Sequence, residues 1–137
     1  MPVITMTHTD SSSEKRDQTR KTILVVEDDA DIGEFLILAL MTETPHYVLR
    51  TTDGLQAIEE LKVQAPDLFI FDYRLPKMNG LELYDRLHAQ EEFQHIPALF
   101  ISACPPEGEM EKRRVSFISK PFSVDEFVQT VKTLLSE

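Results

Sequence analysis

Four short stretches end on side chains that could do chemistry together. "ILVVEDD" (residues 23–29) runs aliphatics into Glu27, Asp28 and Asp29; "DLFIFD" (67–72) ends in Asp72; "PALFIS" (97–102) in Ser102; and "VSFIS" (115–119) is followed by Lys120. Like charges about 4 Å apart repel by roughly 1 kcal/mol in water and about 4 kcal/mol at an effective dielectric near 20. Acids crowded at the end of a core strand therefore call for something positive among them. Magnesium, Mg2+, fits, because it takes oxygen ligands and uses one or two carboxylates beside its waters. A lysine adds a point charge for a phosphate oxygen, a serine adds a hydrogen-bond donor, and an aspartate can itself be the nucleophile of an acyl phosphate. With a hard cation and an oxyanion held this way, positioning and charge neutralisation supply nearly all of the catalysis.

These groups can meet only if a fold brings four strand ends together. Ile23–Val26 is a continuous aliphatic run, the mark of a strand covered on both faces. Ile32, Phe35, Leu36, Ala39 and Leu40 then recur at helical spacing, with Asp29 or Asp31 available as the cap. "HYVLRTT" (46–52) reads as a second, weaker strand, Asp53-Gly54 as a turn, and Leu55, Ile58 and Leu61 as a helix stopped before Pro66. Residues 67–72 form a third strand, Leu81, Tyr84 and Leu87 a third helix, 97–102 and 115–119 the last two strands. Val124, Phe127, Val128, Val131, Leu134 and Leu135 draw a final apolar stripe. Strands alternating with helices imply an α/β, doubly wound, parallel sheet with right-handed crossovers. In such sheets ligands bind beyond the carboxyl ends of the strands, where the winding reverses.

The chain has 137 residues, enough for one domain, and a net charge of −10. In residues 1–20, Lys15, Arg16 and Arg20 balance Asp10, Glu14 and Asp17, so the acidity belongs to residues 21–137. That argues against direct nucleic-acid binding, which needs a basic footprint. No apolar run approaches the ~20 residues of a membrane span, and Cys104 alone excludes a disulfide framework and fits a reducing cytoplasm. Residues 1–20 are rich in serine and threonine without periodicity and read as a flexible tail. His8, His46, His88 and His95 show no paired metal spacing and read as surface or interface residues.

Over roughly residues 21–137 the sequence resembles a receiver domain of the bacterial response-regulator family, through "ILVVEDD", "DLFIFDYRLPKMNGLEL", "IPALFISA" and "FISKPF", all four in order. The resemblance implies a flavodoxin-like (βα)5 fold with strand order 2-1-3-4-5, which sets strands one and three side by side. Residue by residue, Asp72 resembles the phosphoacceptor and Asp28 the direct magnesium ligand, with Glu27 acting through water and the backbone carbonyl of Arg74 completing the protein ligands. Ser102 matches the hydroxyl switch residue, Phe117 the aromatic switch, and Lys120 the base that pairs with the phosphoryl group; Lys120-Pro121 corresponds to a cis peptide bond. The implied activity is a signalling switch rather than an enzyme, with slow self-dephosphorylation at most. Its phosphoryl donor is a histidine kinase or phosphotransfer protein, its output a downstream protein, with room for a homodimer. Only seventeen residues follow Lys120, so a single-domain regulator is expected.

The chain departs from the family between Ser102 and Phe117. "ACPPEGEMEKRRVS" is shorter than usual, and only Met110 and Val115 offer apolar anchorage, although acids early and bases late suit a helix dipole. The expected fourth helix is short, exposed or partly disordered, because packing rather than propensity stabilises most helices. Two other readings compete. An aspartate-nucleophile phosphohydrolase wants an acid two residues after Asp72, where Arg74 stands. A phosphorylation-independent scaffold or dimerisation module is kept open by the altered fourth helix.

Overall fold

The computed structural model describes residues 4–6, 20–113 and 115–136. Its elements in chain order are β1 (Ile4–Met6), β2 (Thr22–Val26), α1 (Ala30–Glu43), β3 (Tyr47–Thr51), α2 (Gly54–Leu61), β4 (Leu68–Asp72), α3 (Gly80–His88), a 3-10 turn (Glu91–Phe93), β5 (Ala98–Ser102), α4 (Glu107–Arg113), β6 (Ser116–Ser119) and α5 (Val124–Leu134). The five parallel strands run β3-β2-β4-β5-β6, the expected 2-1-3-4-5 order. β1 adds a sixth, antiparallel strand on the outer edge of β3, with Ile4 opposite Arg50 and Met6 opposite Val48. This corrects the flexible-tail expectation at residues 4–6; residues 1–3 and 7–19 of that tail lie outside the described residues. An outer strand on β3 occupies an edge that would otherwise present unpaired N–H and C=O groups.

The buried strands alternate between two cores. Ile23 and Val25 of β2, with Ile70, Leu99 and Ile101, face α1 and α5 through Leu36, Leu40, Phe127 and Val131. Leu24 and Val26, with Phe69, Phe71 and Phe100, face α2, α3 and α4 through Ala57, Leu83, Leu87 and Met110. Full burial of side chains this size stabilises by roughly 1.5–3 kcal/mol each, so the strand centres are held firmly and their carboxyl ends inherit that rigidity. Helix starts are fixed locally. Asp29, Asp53, Asn79 and Ser123 each accept a hydrogen bond from a backbone N–H in the first turn, and Asn79 forms a reciprocal capping box with Glu82.

The fourth helix is short, as expected, at seven residues, but it is not loose. Met110 is fully buried in the core under α2–α4, and Val115 packs against the same core. Arg113 reaches across to α3, where Nε and Nη2 donate to the two Asp85 carboxylate oxygens at 2.7 Å each. His46 also departs from expectation. It is buried at the foot of β3, where its Nδ1 accepts the Lys21 N–H at 3.0 Å, so it ties the start of β2 to β3 instead of facing solvent.

Candidate functional site

The strand register determines what meets at the carboxyl edge. Val26 pairs with Phe71, so Glu27 and Asp28 emerge beside Asp72. Asp72 pairs with Ile101, and Ser102 with Ser119, so Ser102 and Lys120 follow at the same level on the next two strands. The backbone N–H of Lys120 donates to the Ser102 carbonyl at 2.9 Å, and the Lys120-Pro121 bond is cis.

One oxygen each from Glu27, Asp28 and Asp72 can be chosen so that all three lie within 4.8 Å of one another. Glu27 is 1% exposed, and Asp72 and Ser102 are also buried, while Asp28 opens to solvent. Lys120 Nζ lies 3.3 Å from Asp72 Oδ2 and 4.0 Å from Glu27 Oε1. The free carboxylate lone pairs are steered by backbone amides: Asp29 N–H donates to Glu27 Oε2 at 3.2 Å, and Arg74 N–H to Asp72 Oδ1 at 3.0 Å. Glu27 Oε1 is buried with no hydrogen-bond partner among the described residues. Burial, with the Asp72 carboxylate next, pushes the Glu27 carboxyl up to about 8. In the absence of a cation this cluster relieves its repulsion by holding a proton.

This is an all-oxygen acidic crevice with one ammonium on its far wall, at the switch point of the sheet. A model of the response regulator receiver domain matches residues 23–132. The chain belongs to the response-regulator receiver family. Among its relatives is the polar-differentiation response regulator DivK of Brucella ovis, 33% identical over 121 residues that span 85% of this chain and 98% of that protein. That relative is therefore itself little longer than a receiver. The receiver superposes on a response regulator from Chloroflexus aurantiacus with a TM-score of 0.79 at 27% identity, covering 86% of this chain and 99% of the other. The receiver domain of a sensor histidine kinase from Pseudomonas aeruginosa shares the fold, with a TM-score of 0.75 at 24% identity over 86% of this chain and 99% of its own. Its structure has magnesium coordinated in the active-site cleft. Receivers of this family are two-component signalling proteins rather than classical enzymes.

Of the residues singled out from sequence, Glu27, Asp28, Asp72, Ser102 and Lys120 converge on this edge of the receiver. Asp29 does not join them as a ligand: its Oδ1 accepts the Ile32 N–H at 2.9 Å and caps α1. Arg74 is exposed, and its backbone N–H rather than its side chain touches Asp72. Ser102 Oγ accepts the Cys104 N–H at 3.2 Å. Phe117, opposite Phe100 on the neighbouring strand, is half-buried against the core under α2–α4. Sequence reasoning missed Arg50, whose guanidinium reaches the carbonyls of Glu27 and Asp29. The available signal was a lone charge inside the otherwise uncharged "YVLRT", together with Gly33 inside an otherwise regular helix.

Proposed function

We propose that this receiver is a phosphorylation-dependent switch in which Asp72 accepts a phosphoryl group from a histidine kinase or phosphotransfer protein, with Mg2+ in the acidic crevice. The observation that carries this reading is the placement of Asp72 between two acids and Lys120, 3.3 Å from its Nζ. The donor set fits magnesium: the ligating atoms are all oxygen, and Glu27 Oε1 is buried with no other partner among the described residues. Asp28 and Asp72 would hold the ion directly, Glu27 through water, and Arg74 through its backbone carbonyl. When bound, the ion neutralises the carboxylates and the incoming phosphoryl oxygens.

The chain's own residues then do the rest. The Asp72 carboxylate forms the new O–P bond as the P–N bond to the donor's imidazole breaks, and the nitrogen leaves with the electron pair. Arg74 N–H keeps the Asp72 carboxylate oriented during the attack. Lys120 exchanges its Asp72 contact for a phosphoryl oxygen, and the Ser102 hydroxyl donates to another. Pulling on Ser102 shifts the start of the β5–α4 connection, and Phe117 on the adjoining strand follows inward. The face carrying α4, β6 and α5 changes, and with it a contact to a downstream protein. Hydrolysis by water limits the lifetime of the acyl phosphate.

A protein donor has a rim to meet. Ile32, Phe35, Pro121 and Phe122 line a recess of about 320 Å3 beside Lys120, with the Phe35 and Phe122 rings 6.1 Å apart. The exposed free thiol of Cys104 suits a reducing cytoplasm, and no helix among the described residues is long and apolar enough to cross a membrane.

The test is incubation with magnesium and acetyl phosphate, followed by intact-mass measurement of wild type and Asp72→Asn. Wild type gains one phosphoryl group and the variant none. No adduct in either, with no structural response to beryllofluoride, refutes the switch and favours the scaffold; sustained release of phosphate from unrelated esters favours a hydrolase.

A further inference from the structure

Arg50 is 9% exposed, yet among the described residues it makes no ion pair. Its Nη2 donates instead to two backbone carbonyls, Glu27 O and Asp29 O, at 3.0 Å each. These carbonyls lie on either side of Asp28. Its Nε is buried with no hydrogen-bond partner among the described residues. A buried cation without a counter-ion is costly unless hydrogen bonds compensate it, and here those bonds bracket one peptide segment.

The room for this arrangement comes from Gly33. A Cβ there would sit 2.2 Å from Arg50 Cζ, 2.3 Å from Nη2 and 2.5 Å from Nε. Gly33 lies inside α1 and has no positive φ, so the helix does not need a glycine for its backbone. Glycine in a helix interior is disfavoured relative to alanine. What it provides is the space in which the guanidinium lies.

Other contacts also hold the segment, and Gly33 N–H donates to the same Asp29 carbonyl at 2.9 Å. Glu27 N–H donates to Thr51 O at 3.1 Å, which fixes the exit of β2, and Asp29 N–H donates to the Glu27 side chain. Arg50 joins the two flanking carbonyls from one nitrogen, whereas the Asp29 N–H bond to the Glu27 side chain spans the same residue through a carboxylate that a cation would recruit. We propose that Arg50, seated in the space left by Gly33, is a positioning residue: it clamps residues 27–29 so that Asp28 and Glu27 are in place before a cation enters. This rests on the reading of the acids as a magnesium site. Groups that orient metal ligands commonly change affinity by about 10–100-fold when removed.

The opposing effect is Coulombic, since a nearby cation repels magnesium and its removal would tighten binding. Sign therefore separates the two. Magnesium is titrated calorimetrically into the folded full chain of wild type, Arg50→Met, Arg50→Lys and Gly33→Ala. Amide exchange at Asp28 and Asp29 is followed in EDTA. Arg50→Met is expected to bind magnesium about tenfold or more weakly, with faster exchange at both amides. Arg50→Lys keeps the charge and a nitrogen able to donate to both carbonyls, so it is expected to bind more tightly than Arg50→Met. Gly33→Ala retains Arg50 and favours the helix, yet displaces the guanidinium and weakens magnesium binding likewise; it also serves if the Arg50 variants do not fold. Wild-type affinity in Gly33→Ala, equal or tighter binding in Arg50→Met, or an Arg50→Lys no tighter than Arg50→Met overturns the clamp while leaving the magnesium site standing. A wild type that takes up no magnesium overturns both.

Discussion

The seven-residue α4 offers a quantitative test of what holds a short helix in this receiver. Beyond Met110, its strongest tie to the domain is Arg113, whose two nitrogens reach both Asp85 oxygens at 2.7 Å while Nη1 donates to Glu109. Exposed ion pairs are commonly worth about 0–1 kcal/mol. This one is bidentate, and the Arg113 side chain is only 23% exposed against 52% for Asp85, so it belongs at the upper end, about 1 kcal/mol. A double-mutant cycle with Arg113→Ala, Asp85→Ala and both together, measured by urea unfolding at pH 7, isolates that coupling. If α4 opens as a local unit, losing about 1 kcal/mol speeds amide exchange within it about fivefold. The hydrogen bond from Arg113 holds the Asp85 carboxyl below its usual range. The stabilisation is therefore present above the ordinary aspartate pKa and is lost as pH falls through the depressed value. Added salt shrinks it. A coupling of zero at pH 7 in low salt, with α4 exchange unchanged, would refute the claim that this bridge holds the helix.

Three further outcomes follow from the geometry. Met110→Ala removes a fully buried side chain and is expected to cost about 2–5 kcal/mol by urea unfolding, or less if α4 opens locally. In the latter case α4 amide exchange approaches that of an exposed peptide. Gly80→Ala places a Cβ 2.6 Å from the Asp72 carbonyl oxygen, so backbone must move; about 1–3 kcal/mol of stability and a slower acetyl phosphate reaction at Asp72 are expected together. Glu27 sits with its pKa raised to about 8. Its contribution to the stability of metal-free protein is therefore full below the ordinary glutamate value and lost as pH rises through about 8. Unfolding free energies from urea titrations in EDTA fall between pH 7 and 9 by about 1 kcal/mol more in wild type than in Glu27→Gln, and a variant with the wild-type pH slope would contradict this.

The parts of this receiver that were legible in its sequence are those governed by short-range pattern. Ile23–Val26, Leu68–Phe71 and Ala98–Ile101 are continuous apolar runs because helices cover both faces, and each run ends at a polar residue of the carboxyl edge. Hence the placement of Asp28, Asp72, Ser102 and Lys120 could be read residue by residue. What escaped reading depends on partners distant in sequence. Ile4–Met6 is only three residues, broken by Thr5, and becomes a strand only against the β3 edge. His46 is polar by composition but buried by the Lys21 N–H that meets it. Arg113 reads as one of three consecutive basic residues until α3 brings Asp85 opposite.

Arg50 and Gly33 are the deepest case of this kind, because each violates its local rule alone. A charged residue weakens an internal strand and a glycine weakens a helix; together they form one buried contact beneath the acid loop. That contact also completes the account of the crowded carboxylates. Their repulsion is offset within the chain by several partial measures. Lys120 stands against Asp72, backbone N–H groups of Asp29 and Arg74 bond two of the oxygens, and the raised Glu27 pKa stores a proton. The Arg50 guanidinium adds a positive charge on the loop carbonyls. None of these supplies a ligand sphere for Glu27 Oε1, which stays buried with no hydrogen-bond partner among the described residues. A cluster stabilised enough to fold, yet left with an unsatisfied carboxyl oxygen beside Asp72, is poised to exchange its proton for a cation. Proton release on magnesium binding, read as a dependence of the calorimetric heat on buffer ionisation enthalpy, is the direct consequence.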